Sequence, residues 1–206
     1  MNFFEQLKNI DLILASQSPR RRNLLKEAGI PFRVWAIPGD ESFPEGLSPS
    51  DIAMHLCKKK AEPFLDKLDK KSIVITADTI VVKDTKILNK AVNVIQARQM
   101  LTLLSGSTHQ VITGVCITSQ DKQLAFYEKT DVTFTELSKE EIDHYINTCK
   151  PFDKAGAYGI QEWIGLIGVD SIDGSYHNVV GLPVARLYKE LKAFLEEQFP
   201  NSDITQ

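Results

Sequence analysis

An aspartate stands in the middle of the most strand-like segment of this 206-residue chain. Ser72 to Ala77 is a short continuous run rich in β-branched residues, the pattern of a strand covered on both faces. It ends in Asp78-Thr79 and resumes as Ile80-Val81-Val82. A carboxylate there is costly to bury unless it is paired or bound to a cation. Two explanations fit the pattern. Asp78 is a functional acid held inside the fold, or it sits at a bulge or strand end and accepts local backbone hydrogen bonds. A strand of this kind needs a sheet with covered faces, and the rest of the chain supplies helices for it.

The second constraint lies at a strand-to-helix junction. Ile10 to Ala15 is an apolar run that reads as a buried strand, and Asn23 to Gly29 carries apolar residues at helical spacing. Between them lies Ser16-Gln17-Ser18-Pro19-Arg20-Arg21-Arg22. Ser18 suits the N-cap, Pro19 the first helical position and Gly29 the stop. The first turn of a helix presents unpaired N–H groups and a positive dipole end, which favour an anion. Arg20 and Arg21 add forked donors matched to phosphate oxygens, although placing them there opposes the dipole. The plainer alternative is a capped surface helix with solvated arginines.

Along the remaining chain, Phe32 to Ile37 predicts a second strand, followed by a loop carrying Asp40 and Glu41. Ser50-Asp51 starts a helix with Ile52, Ala53, Leu56 and Leu65 on its buried face. It bears Lys58-Lys59-Lys60, of which Lys58 and Lys59 read as solvated. Lys83-Asp84-Thr85-Lys86 reads as a hairpin turn, and Asn93 to Leu104 as a helix. His109 to Thr118 and Leu124 to Phe134 read as paired antiparallel strands. Ser138-Lys139-Glu140-Glu141 is a capping box opening a helix to about Thr148. Lys150 to Gln161 and Gly174 to Asn178 read as loops. Pro183 opens an amphipathic helix through Val184, Leu187, Leu191 and Leu195, and the tail from Pro200 is expected to fray. This mixture predicts an α/β or α+β sheet protein.

Composition narrows the function classes. Apolar content of 43% and charged content of 25% are those of an ordinary globular protein. A net charge of −3 gives no reason to expect a nucleic-acid or membrane partner. Cys57, Cys116 and Cys149 are odd in number and widely spaced, which predicts a reduced, cytoplasmic protein. Residues 1–9 lack a signal-peptide core. P-loop, Rossmann and G-x-S-x-G motifs are absent, and four isolated histidines make no zinc pattern. What remains is an anion-binding helix start, a carboxylate pair in a loop, an aspartate inside a strand and scattered lysines. Such groups suit phosphoryl or nucleotidyl hydrolysis, with carboxylates holding a divalent cation or activating a water.

In order, the chain contains L-I-L-A-S-Q-S-P-R-R, K-K-A, A-D-T-I-V-V, L-S-G-S-T-H-Q-V-I-T-G-V, D-K-A-G-A-Y-G-I-Q and G-S-Y-H-N-V-V-G-L-P. This series resembles the Maf family of nucleoside-triphosphate pyrophosphatases from about residue 11 to residue 195. The resemblance implies hydrolysis of a nucleoside triphosphate to the monophosphate and pyrophosphate, dependent on a divalent cation, Mg²⁺ or Mn²⁺. It implies an α/β fold with an elongated mixed sheet flanked by helices, as in inosine-triphosphatase-like proteins, and two lobes with a cleft between. It also implies one domain over residues 1–206, with 1–9 an extension and 200–206 a tail, and a homodimer. By motif, Asp78 is the proton acceptor, and Ser16, Arg20, Arg21, Lys60 and Lys90 line the phosphates. Glu41 joins Asp78 as a metal-associated acid. Arg20, Thr79 and Gln161 resemble the branch acting on dTTP and UTP. Ala91, where proline is usual, and Lys150, where glutamate is usual, depart from the pattern. Competing readings are an ITP/XTP-type purine pyrophosphatase and a nucleotide-binding regulator of septum formation. Intact Asp78, Arg20, Arg21 and Lys60 favour an enzyme.

Overall fold

The computed structural model describes residues 2–199, so the predicted tail from residue 200 lies outside the described residues. The order of elements is α1 (Phe3–Leu7), β1 (Asp11–Leu14), α2 (Pro19–Glu27), β2 (Arg33–Val34), α3 (Pro49–Ala61) and a 3₁₀ turn (Glu62–Lys67). There follow β3 (Ser72–Lys83), β4 (Lys86–Leu88), α4 (Val94–Leu104), β5 (Thr108–Thr118) and β6 (Gln123–Phe134). The chain continues through α5 (Lys139–Cys149), α6 (Trp163–Ile167), β7 (Val169–Asp173), α7 (Tyr176–Val180) and α8 (Val184–Gln198). One mixed sheet runs β2-β1-β3-β5-β6-β7, with β4 pairing β3 off that path. This is the α/β architecture expected from the sequence.

The chain divides into two units. The first comprises Met1–Asp78, Gly114–Tyr127 and Gly181–Gln206, and the second Thr79–Thr113 and Glu128–Val180. In the first, β1 runs parallel to β2 and to the start of β3, with Leu12 opposite Ile73 and Leu14 opposite Ile75. Ser18 caps α2 by accepting from the Arg21 N–H, and Pro19 takes the first turn. The strand predicted over Phe32 to Ile37 shrinks to Arg33–Val34. Trp35 and Ile37 lie beyond it and pack on the core of Ile13, Phe64, Leu68 and Val74, and the Trp35 N–H still donates to the Leu14 carbonyl at 3.2 Å. Helix α3 starts at Pro49 with Ser48 as N-cap, one residue before the predicted Ser50. Leu65, expected on its buried face, is exposed in the 3₁₀ turn, where Phe64 takes the inward position. Residues expected as an extension form α1, with Phe3 edge-on to Tyr188 of α8 at 4.7 Å.

In the second unit, β3 and β4 form the predicted hairpin, with Val81 opposite Leu88. Antiparallel β6 and β7 follow, and Arg98 of α4 bonds Asp143 of α5 at 2.6 Å. The capping box of α5 is present, and its helix ends at Lys150 in the left-handed conformation (φ 47°). Lys150 is exposed there, whereas Ala91 is buried. The segment predicted as a loop over Gly174 to Asn178 instead enters the one-turn helix α7. Buried Asn178 anchors that turn by donating to the Val111 carbonyl at 3.0 Å and to Thr130 Oγ1 at 2.9 Å.

Candidate active site

Strand β3 is continuous from Ser72 to Lys83, so Asp78 lies in its interior and not at a strand end. Its carboxylate is 13% exposed and is paired with the ammonium of Lys60, itself 21% exposed. Two local rules bring them together. In a strand, residues two apart share a face, and in a helix residues three apart do. Thr76, two before Asp78, donates its hydroxyl to the carbonyl of Cys57 at 2.6 Å. Cys57 is three before Lys60, so this one bond sets the register of α3 against β3. Close approach of α3 also depends on Gly114 in β5. A Cβ there would stand 2.2 Å from the Ala53 carbonyl oxygen.

Lys60 also donates to Glu41 Oε1 at 2.9 Å, so one ammonium spans both carboxylates that the sequence singled out. The loop carrying Glu41 is held on either side of that residue. Lys59 donates to Asp40 Oδ2 at 2.7 Å and to the Ser42 carbonyl and hydroxyl at 3.0 and 2.9 Å. Lys59 is therefore not the solvated residue predicted for it. Its hydrogen bond, with those from Ser42, holds the Asp40 carboxyl well below the usual carboxylate range. A run of three lysines gives no hint of which one grips a loop 17 residues earlier.

At the junction after β1, buried Ser16 accepts from the Ser18 N–H at 3.2 Å and from Arg21 Nη1 at 3.4 Å. Arg21 reaches further than a phosphate ligand would need to. Its Nε donates to the Gly181 carbonyl and its Nη1 to the Ala77 carbonyl, each at 2.8 Å. The guanidinium thus ties α2 to the residue before Asp78 and to the approach to α8. Burial draws its pKa below the ordinary arginine value, Asp78 opposes that shift and Arg20 adds to it. Ser16, Arg20, Arg21, Glu41, Lys60 and Asp78 all belong to the first unit.

Thr79, Lys90 and Gln161 belong to the second unit. Thr79 Oγ1 lies 2.9 Å from Thr113 Oγ1. Lys90 forms a bridge with Ala155, and the Gly156 N–H donates to the Leu88 carbonyl at 2.9 Å. The polar-looking segment around Gln161 is a buried one. Gly156 to Ile160 are inside, and Gln161 itself is exposed. Tyr158 meets His109 Nε2 at 2.8 Å, and both pack edge-on with Phe134. Lys154, only 9% exposed, pairs with Glu162 at 2.8 Å. Sequence reasoning passed over Glu162 and Tyr145, because neither falls in a motif with a chemical signature.

The described residues contain no group of three His, Cys, Asp or Glu able to hold a metal ion. Asp78 and Glu41 are two hard oxygen donors, and Mg²⁺ commonly takes only one or two protein carboxylates.

A mixed sheet flanked by helices, with an acid–lysine–acid cluster at the midpoint of a central strand, defines a class of α/β proteins. The solved Ham1 protein of Staphylococcus aureus shares this fold, with a TM-score of 0.50 and 15% identity over 91% of this chain and 99% of that one. The chain belongs to the Maf-like protein family, which matches residues 11–194. It is similar to a dTTP/UTP pyrophosphatase of Phocaeicola vulgatus, 52% identical over 91% of this chain and 98% of the relative. Proteins of the same name from Christiangramia forsetii and Porphyromonas gingivalis are 48% and 47% identical, each over 93% of this chain.

Proposed function

We propose that this protein is a dTTP/UTP pyrophosphatase. It hydrolyses a pyrimidine nucleoside triphosphate to the monophosphate and pyrophosphate. The observation that carries this reading is the shared name of relatives 46–52% identical over nearly their whole length, in a chain that keeps Asp78, Lys60 and Glu41 together. Water attacks the α-phosphorus, the bond from that phosphorus to the bridging oxygen breaks, and pyrophosphate leaves as one unit. Asp78 takes the proton of the attacking water. Lys60 neutralises the two carboxylates in the free protein, and a triphosphate offers its ammonium a competing anion. Arg20, Arg21, Ser16 and Lys90 serve the phosphates. Asp78 and Glu41 would hold Mg²⁺ or Mn²⁺, which would supply charge neutralisation at the phosphates. The protein works in the cytoplasm as a homodimer; its three free cysteines support a reducing compartment.

Selectivity for the base falls to Gln161, with Thr79 and Arg20. Thymine and uracil present an N3–H donor beside the O4 acceptor, and the glutamine amide carries the complementary pair. Cytosine reverses those groups. A site built on such hydrogen bonds discriminates against the base whose groups it leaves mismatched. The test is a screen of the common nucleoside triphosphates with Mg²⁺, detecting pyrophosphate and monophosphate. dTTP and UTP are expected to be cleaved well and CTP poorly. Equal kcat/KM for CTP and UTP, or orthophosphate as the first product, refutes the reading.

A further inference from the structure

Gln161 is one of the two central residues of a tight turn. The Glu162 N–H donates to the Gly159 carbonyl at 3.0 Å, closing Gly159-Ile160-Gln161-Glu162. Both ends of that turn meet the same hydroxyl. Tyr145 Oη, from fully buried Tyr145 on α5, accepts from the Gly159 N–H at 3.0 Å and donates to the Glu162 carboxylate. The other Glu162 oxygen accepts from Lys154 Nζ at 2.8 Å, and Lys154 is held a second time by Asp153 at 2.7 Å. The cluster is built tightly against the backbone. A Cβ on Gly159 would come within 2.9 Å of both Glu162 Cδ and Lys154 Cε, so any larger residue there would push the Glu162–Lys154 pair aside. Burial, with Glu162 opposing ionisation, pushes the Tyr145 phenol far above its ordinary pKa, so it remains a donor across the working pH range. Ile160 points inward while Gln161 is exposed.

We infer that Tyr145 and Glu162 are positioning residues for Gln161, clamping both ends of its turn so that its side chain is presented to the base from one place. A hydrogen-bonding side chain selects between uracil and cytosine only while it is held within reach of the base edge. A loosened turn would let the side chain retreat, and selectivity would fall before catalysis did. Lys154 completes the clamp by neutralising the half-buried Glu162. The inference rests on the dTTP/UTP reading and on the place of Gln161 in it.

The experiment measures kcat/KM for UTP and for CTP in the unmodified protein and in Gln161→Ala, Glu162→Gln, Tyr145→Phe and Gln161→Ala/Tyr145→Phe. The ratio for two substrates on one preparation is independent of the fraction of folded protein. Tyr145→Phe, which keeps the ring and deletes both bridging bonds, is expected to lower the UTP:CTP ratio by about tenfold, the order of one good hydrogen bond. The loss should fall on UTP and not on CTP. Glu162→Gln should act in the same direction, and the double variant should discriminate no worse than Gln161→Ala alone. If Gln161→Ala erodes the ratio while Tyr145→Phe and Glu162→Gln leave it intact, or lower both substrates alike, the positioning role is overturned. If the unmodified protein does not discriminate, or Gln161→Ala changes nothing, the substrate reading itself fails and takes this one with it.

Discussion

Histidine 109 gives the protein a pH dependence that can be worked out in advance. The ring lies inside the second unit, 2% exposed, with Nε2 on the Tyr158 hydroxyl and Nδ1 without a hydrogen-bond partner among the described protein atoms. Protonation would put a charged N–H on each nitrogen, one of them facing nothing polar. Burial therefore lowers the pKa from 6.5 to about 4, and the nearby Lys83 ammonium adds to the shift. The sign follows from linkage. Below about pH 6.5 the unfolded chain binds a proton at this site that the folded protein refuses until about pH 4, so stability falls as pH falls through that window. At ~pH 5 the loss amounts to about 2 kcal/mol, approaching about 3 kcal/mol near pH 4. Asp40 and Asp69, whose carboxyls are both held low, lose their stabilisation only below their ordinary value of 3.8, outside this range. The assay is urea unfolding followed by tryptophan fluorescence at several pH values, on the unmodified protein and on His109→Gln. Glutamine can still meet the Tyr158 hydroxyl and does not titrate. Its absolute stability will differ, since ring packing at 5.1 and 5.3 Å is lost, so the informative quantity is the pH slope. The stability advantage of the unmodified protein over the variant should shrink by about 2 kcal/mol between ~pH 7.5 and ~pH 5. Parallel slopes in the two proteins would refute the account of a histidine buried neutral.

Two further outcomes follow from the first unit. Asp78→Asn keeps the shape of the side chain and leaves Lys60 its second carboxylate in Glu41, so the protein should fold. Its pyrophosphate release from dTTP should drop by roughly 10²–10⁴, the usual worth of a general base, and a rate near that of the unmodified protein would remove Asp78 from the chemistry. Gly114→Ala places a methyl 2.2 Å from a backbone oxygen that cannot rotate away, so α3 must shift off the sheet. Urea denaturation should show a loss of about 1–3 kcal/mol or more, and an unchanged midpoint would mean that the close approach of α3 is not required.

Local chemistry was legible in the residues. Ser18 with Pro19, Asn93, and the Ser138–Glu141 box cap the helices they were expected to open, because a cap is a contract between residues three apart. The β-branched run also became the central strand, and the ordered motifs pointed to the family. Three-dimensional placement decided the rest. Nothing near Asp78 in the chain says that its counter-ion is Lys60, 18 residues earlier, rather than Lys58 or Lys59. That choice depends on the register of α3 against β3, fixed by Thr76 on Cys57 and by the missing side chain of Gly114. The segment Gly156 to Ile160 misled in the opposite direction. Its small and polar composition reads as solvated loop, yet it is buried. Its polar groups find partners on α5, β4 and β5, at sequence distances where no periodicity operates. Tyr145 and Glu162 carry no motif for the same reason. A tyrosine in an amphipathic helix looks like core, and only the folded chain puts its hydroxyl between the two ends of the turn that bears Gln161.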